Sequence, residues 1–277
     1  SKGVFERSIK HIVKNLNLPE VNVENLFLVA FNPNNYLRNA VTECFLDIPR
    51  EYDKGDFKIY DLNGDEIHKQ IINSELNQPV LEQLIDRPMY FQMMRYSCFI
   101  YLKNVPGFGY KSFSIIPDQK SKVKSQKNIG NASRSTLEND NLIVRINSNG
   151  TFNLFDKANK KDYKELGYFY DEGEAGHAWV NTPTKPFVTT LKSKPKLKLI
   201  HNGELSATHK ISHKLKLPLN LTERKKKKPK LVPVNVDLFI TLSKNSKRVE
   251  LKIEVDNKAE SHRLRIMFPT NLDAKFH

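Results

Sequence analysis

From Asn25 onward apolar residues recur at every second position, and this alternation constrains the fold more than any other feature of the chain. A period of two sends successive side chains to opposite faces of a strand, so one face is buried and the other wet. Val236, Leu238, Ile240 and Leu242 point one way, a turn falls at Ser243 to Ser246, and Val249, Leu251, Ile253 and Val255 return on the same face. That pattern predicts a hairpin with one surface buried along both strands. Glu204 to Lys216 alternates in the same manner, with Leu205, Ala207, His209, Ile211, His213 and Leu215 on the inner face. Leu142, Val144 and Ile146 lead through Asn147-Ser148-Asn149-Gly150 into Thr151 to Phe155, a further hairpin. Strands are also expected near 26 to 31, 40 to 48, 57 to 61, 66 to 72, 90 to 103 and 110 to 116.

One segment breaks the rule. Val4, Phe5, Ser8, Ile9, Ile12, Val13 and Leu16 recur at helical spacing, predicting a helix over 4–16 that stops near Pro19. A helix of about 13 residues is marginal alone. Its stripe is therefore expected to be the tail of a helical domain, residues 1–20. The polar, basic and aperiodic stretch 117–136 reads as a flexible linker or long loop. It separates a small β-sandwich, 25–116, from the first part of a larger one, 137–277. The fold class expected is all-β, an antiparallel supersandwich with one short N-terminal helix.

Charge and cysteine usage remove several function classes. Lys and Arg exceed Asp and Glu to give a net charge of +14, which would attract phosphate or anionic surfaces. No nucleic-acid-binding signature accompanies it, so no specific nucleic-acid partner is expected. The run Lys225-Lys226-Lys227-Lys228-Pro229-Lys230 lies between two expected strands and reads as a solvated loop. Cys44 and Cys98 suit buried thiols in a reducing, cytoplasmic compartment. No apolar run approaches the roughly 20 residues of a membrane span, so no membrane partner is expected.

Residues 167–186, GYFYDEGEAGHAWVNTPTKP, gather Asp171, Glu172, Glu174, His177 and the single tryptophan, Trp179, around two glycines. Carboxylates accept hydrogen bonds from hydroxyls and an aromatic face packs on the C–H side of a pyranose. The segment is thus either a sugar-contacting loop or a solvated acidic turn with a core tryptophan. Asp171, Glu174 and His177 offer metal-ligand atoms, but neither a calcium-loop pattern nor a rigid spacing supports a metal there. His209 and His213 would stand about 13 Å apart on one strand. They read as hydrogen-bonded core histidines, not ligands of one ion.

Several segments in this order resemble glycoside hydrolase family 38, the α-mannosidase group: FLVAFNP at 27–33, VPGFGYKSF at 105–113, LENDNLIVRINSNGTFNLFDK at 137–157, DEGEAGHAW at 171–179, ELSATHKI at 204–211 and SKRVELKIEVDNKAESHRLRIMFPT at 246–270. The resemblance implies a galactose-mutarotase-like sandwich that sends loops into a mannoside site. The retaining mechanism, its nucleophile and its zinc ion belong in that family to an N-terminal catalytic domain. No catalytic residue and no metal are therefore expected in this chain. The implied partners are a mannose-containing oligosaccharide or mannoside and that catalytic domain, with an oligomer left open. The family's acidic loop reads Asp-x-Gly-Asp-x-Gly-Asp with an aromatic two positions on. Asp171, Gly173, Gly176 and Trp179 fit, while Glu174 and His177 replace aspartates. Asp171, Glu174, His177, Trp179 and Arg263 are the substrate-binding residues this implies. A free-standing carbohydrate-binding module and a polyanion-binding basic β-protein are the alternatives.

Overall fold

The structure is a computed structural model that describes residues 2–16, 26–81, 87–119, 135–177 and 179–271. Two compact units divide the chain, Ser1–Gln126 and Lys127–His277. The amphipathic N-terminal stretch forms helix α1 (Lys2–Lys14), two residues ahead of the span its periodicity suggests. Val4, Ile12 and Val13 on it are exposed. Pro19, the expected stop, lies outside the described residues.

The first unit continues with β1 (Leu26–Asn32), β2 (Arg38–Pro49), β3 (Gly55–Asp61), β4 (Lys69–Asn77), the two-residue strands β5 (Val80–Leu81) and β6 (Met89–Tyr90), β7 (Met93–Val105) and β8 (Gly109–Gln119). Two antiparallel three-stranded sheets, β1-β8-β3 and β2-β7-β4, face one another. Their inward alternation builds one core, with Phe57, Ile59 and Phe113 from one sheet meeting Ile48, Cys98 and Ile100 from the other. The expected strand 90–103 is divided, because the chain turns at Phe91 and Gln92 between β6 and β7. β4 runs on to Asn77, beyond the expected 72, because main-chain pairing with Met93–Ser97 of β7 carries its polar end. Backbone hydrogen bonds need no apolar side chain, so periodicity misses such an extension. Likewise Pro117, Asp118 and Gln119, expected in a linker, pair with Phe57, Asp56 and Gly55. Residues 120–134, the rest of that expected linker, lie outside the described residues. Cys44 and Cys98 are direct cross-strand neighbours with Sγ atoms 3.5 Å apart, and both are free thiols.

The second unit comprises β9 (Thr136–Glu138), β10 (Leu142–Ile146), β11 (Phe152–Asp156), β12 (Lys161–Leu166), β13 (Tyr168–Glu174), β14 (Pro183–Thr189), β15 (Lys196–Asn202), β16 (Ser206–Pro218), the single-turn helix α2 (Leu221–Arg224), β17 (Leu231–Ser243), β18 (Glu250–Asp256) and β19 (His262–Met267). Three antiparallel sheets, β12-β11-β10-β9, β14-β13-β19 and β15-β16-β17-β18, share one core. Val144 and Phe152, Phe169, and Ile211, Leu238 and Ile240 represent the three sheets in it. Each such side chain contributes about 1.5–3 kcal/mol on burial.

The inner face of β16 is buried as its alternation predicts, the two histidines included. His213 Nδ1 lies 3.1 Å from Ser193 Oγ, and the Phe169 ring meets the imidazole edge-on at 5.6 Å. Burial pushes the His213 imidazole down to about 4. Gly150, at φ +85°, closes the β10–β11 turn, and a Cβ there would stand 2.7 Å from His213 Cε1. The β17–β18 hairpin has the expected register, Val236 opposite Val255 and Leu238 opposite Ile253. Its burial differs on the return strand. Val236 and Leu238 are fully buried, whereas Ile253 and Val255 are exposed, because β18 is the outer strand of its sheet. Lys225 to Lys228 follow α2 and are exposed.

Candidate functional site

The acidic segment does not interrupt the strand pattern. It is β13, the middle strand of its sheet, continuing into a hairpin with β14. Glu174 pairs with Pro183, Ala175 N–H donates to Thr182 at 3.0 Å, and His177 and Val180 exchange backbone hydrogen bonds at 3.0 and 3.1 Å. Trp179 therefore stands at the tip of a tight hairpin, 91% exposed. It is not a core tryptophan.

Alternation along β13 separates the acidic residues into two environments. Phe169, Asp171 and Gly173 lie in register with Ile266, Leu264 and His262 of β19. Phe169, Leu264 and Ile266 belong to the core on this side, and Asp171 is 1% exposed at its margin. A carboxylate there requires charged partners. Arg224 Nη2 donates to Asp171 Oδ1 at 2.6 Å, and Arg224 Nη1 donates to the Pro186 carbonyl at 2.6 Å. The other oxygen, Oδ2, takes His262 Nδ1 at 2.5 Å. Because a carboxylate only accepts, that nitrogen carries the proton. Both oxygens of Asp171 are thus occupied by protein, and the expectation that Asp171 meets a ligand hydroxyl is replaced by an internal role. It ties α2, β14 and β19 to β13.

The glycines follow from this arrangement. Neither Gly173 nor Gly176 has a positive φ, so they are not flexing points. A Cβ on Gly173 would stand 2.2 Å from Thr184 Oγ1 and 2.6 Å from Arg224 Cδ, so the arginine reaches Asp171 only by crossing a bare Cα. A Cβ on Gly176 would stand 1.8 Å from the Val180 carbonyl oxygen, which closes the hairpin tip. Both glycines permit close approach.

The even-numbered residues form the opposite face, on which Glu172 is itself buried. Tyr170 and Glu172 lie in register with Arg265 and Arg263. Arg265 Nη2 is 2.7 Å from Glu172 Oε1, and its guanidinium lies 4.9 Å from the Tyr170 ring centroid. Phe187 extends the aromatic surface, 5.6 Å from Tyr170. Glu174 Oε1 accepts the backbone N–H groups of Thr182 at 2.7 Å and Gly176 at 2.8 Å. Those two bonds, with the charge of Arg263 added, hold the Glu174 carboxyl below the usual range. Glu174 is consequently an anion whose second oxygen, Oε2, takes neither of these two bonds. His177 is exposed, with Nδ1 accepting the Trp179 N–H at 3.3 Å.

Four of the five expected residues, Glu174, His177, Trp179 and Arg263, therefore belong to the tip and outward face of one hairpin and its neighbouring strand, while Asp171 lies beneath. Arg224 and His262, which carry the internal anchor, escape sequence reasoning. Arg224 opens a run of lysines and looks like one more solvated cation. The signal that could have found it is the need of a strand-borne Asp171 for a cation. Among the described residues, no three His, Cys, Asp or Glu side chains come together as a metal-ligand set.

The profile of the glycosyl hydrolases family 38 C-terminal domain matches residues 137–277, half of the chain. The chain belongs to glycosyl hydrolase family 38. A putative mannosylglycerate hydrolase of Halalkalibacterium halodurans is 28% identical over an alignment 179 residues long that covers 58% of this chain and 20% of that protein. Among solved structures, an alpha-mannosidase from Enterococcus faecalis V583 superposes with a TM-score of 0.76 at 18% identity, over 96% of this chain and 34% of that one. A second Enterococcus faecalis protein of glycosyl hydrolase family 38 gives 0.75 at 18% identity, over 95% and 35%. These likenesses show the fold. The family 38 chain described here spans about a third of those structures' length and a fifth of the curated relative's.

Proposed function

We propose that this family 38 chain is the β portion of an α-mannosidase-type hydrolase and that its β13–β14 hairpin contributes to the sugar site. The observation that carries this reading is Trp179, 91% exposed at the tip of a hairpin whose base is fixed by a buried Asp171–Arg224–His262 cluster. An exposed indole costs hydration free energy, and a rigid base makes it a preorganised platform for a pyranose face. Glu174 Oε2 and Arg263 stand on the same outward side as acceptor and donor for hydroxyls. His177, where the family pattern has an aspartate, would make the contact that distinguishes this protein.

Retaining hydrolysis needs two carboxylates about 5 Å apart beside the glycosidic bond. On β13, Glu172 is buried beside Arg265 and Glu174 accepts backbone N–H groups. The catalytic pair and the zinc ion are those the family resemblance implies, and this reading assigns them to a catalytic domain outside these residues. The glycoside is a mannoside in this reading, and the free thiols of Cys44 and Cys98 support a cytoplasmic setting. The 277-residue chain should not turn over an aryl α-mannoside, with or without added zinc. Turnover that scales with the purified chain and survives removal of contaminants would defeat the proposal.

A carboxylate-bearing aglycone is the second reading, favoured by Arg263 being exposed and by the mannosylglycerate hydrolase similarity. Arg263→Ala in the whole hydrolase should then raise KM for an anionic mannoside more than for a neutral one. Equal effects would remove it.

A further inference from the structure

The small sandwich carries a second recess at the end of β2 and β7. The turn Arg50–Asp53 and the segment Tyr90–Gln92 are the walls of a cavity of about 680 Å3, whose lining includes Arg50, Glu51, Tyr52, Tyr90, Phe91 and Gln92. The volume lies within the roughly 300–1,000 Å3 of small-molecule sites. Its walls are fixed by backbone hydrogen bonds: Arg50 N–H donates to Gln92 at 2.9 Å, Tyr52 N–H to Pro49 at 2.9 Å and Phe91 N–H to Pro79 at 3.1 Å. Arg50 Nη1 also donates to Gln92 Oε1 at 3.1 Å, which sets the amide with its NH2 free to donate. Below the turn, Tyr96 Oη donates to Asp53 Oδ1 at 2.6 Å, so the wall is tied to the core.

The lining chemistry is specific. Tyr90 is 70% exposed and Phe91 38% exposed, although this unit fills its interior with fully buried Phe57 and Phe113. Aromatic rings left at the rim of a rigid recess offer faces to the C–H side of a pyranose, and a carboxylate, a guanidinium and an amide beside them match vicinal hydroxyls. Arg50 and Glu51 are the charged residues of the lining and cancel, in a chain whose net charge is +14. That balance suits a neutral ligand and gives a phosphate or polyanion no preference. We propose that this recess is a second saccharide-binding site, distinct from the β13–β14 hairpin and taking a neutral hexose oligosaccharide. The glycoside-hydrolase reading enters only in the choice of sugar.

Titration of the isotopically labelled 277-residue chain with α-mannobiose, followed by amide and indole NMR shifts, tests it. Saturable shifts are expected at Arg50–Tyr52 and Tyr90–Gln92. Trp179→Ala should leave them, whereas Tyr90→Ala with Phe91→Ala should weaken the affinity about tenfold or more without lowering Tm, since both rings are solvent-facing. No shift at these residues, or shifts that persist in the double variant, would overturn the proposal. So would shifts there that grow with protein concentration without sugar, which would make the recess an interface between copies. The Trp179 indole reports the hairpin separately, so a silent recess with a responsive indole refutes this inference alone, and the converse refutes the hairpin reading alone.

Discussion

At the residue scale, the buried Asp171–Arg224 pair decides what the acidic segment is. Both side chains are 2% exposed or less, and removing one partner of such a pair leaves the other charge unpaired in the interior. Asp171→Asn should therefore cost about 3–5 kcal/mol, measured by urea unfolding, and unfolding at the wild-type midpoint would show that Arg224 finds other partners. Gly173→Ala should cost about 1–3 kcal/mol, since Arg224 or Thr184 must move aside. Gly176→Ala puts a Cβ 1.8 Å from the Val180 carbonyl oxygen, so the hairpin tip must open and the variant should likewise cost about 1–3 kcal/mol. The segment's residues were legible in the sequence and their environments were not. The sequence shows that carboxylates, glycines and a tryptophan cluster together, but not that alternation along a strand turns Asp171 inward and Glu174 outward. The cation that makes the inward position tolerable comes from a turn 53 residues away.

At the element scale, the alternating strands were legible and their context was not. β16 and β17 read directly as half-buried strands because both lie inside the sheet. The identical pattern in β18 has one neighbour and leaves Ile253 and Val255 exposed. Main-chain pairing, as in the polar end of β4, leaves no periodic trace at all. His213 on β16 and His201 on β15 supply a pH prediction. The His213 imidazole is pushed from its ordinary value of 6.5 down to about 4 by burial, and His201 is lowered in the same direction. A lowered folded value means that the unfolded chain takes up the proton first, so stability is full above pH 6.5 and falls as pH drops toward 4. The loss from His213 amounts to about 3 kcal/mol. Urea unfolding between pH 7 and 4 should show this slope, and His213→Gln should flatten most of it. An unchanged slope in that variant would place the acid sensitivity elsewhere. The lysine run matters little. Lys225 to Lys228 are exposed after α2, and replacing them with serine should change stability by less than about 0.5 kcal/mol.

At the scale of the whole molecule, two separate cores support two different surfaces. The larger unit, matched by the family 38 profile, fixes a hairpin whose exposed tip points its indole and Glu174 outward. The smaller unit holds a preformed aromatic recess. In the proposed reading, substrate contacts fall to rigid β-elements, which are costly to deform and therefore preorganised. The direct measurement is kcat/KM for α-mannoside hydrolysis by the intact hydrolase carrying Trp179→Ala, with Tm recorded on the same protein. Trp179 is 91% exposed, so folding should be unaffected. Loss of a stacking platform should lower kcat/KM about tenfold or more at unchanged Tm. Wild-type kinetics in that variant would contradict the hairpin's place in the sugar site.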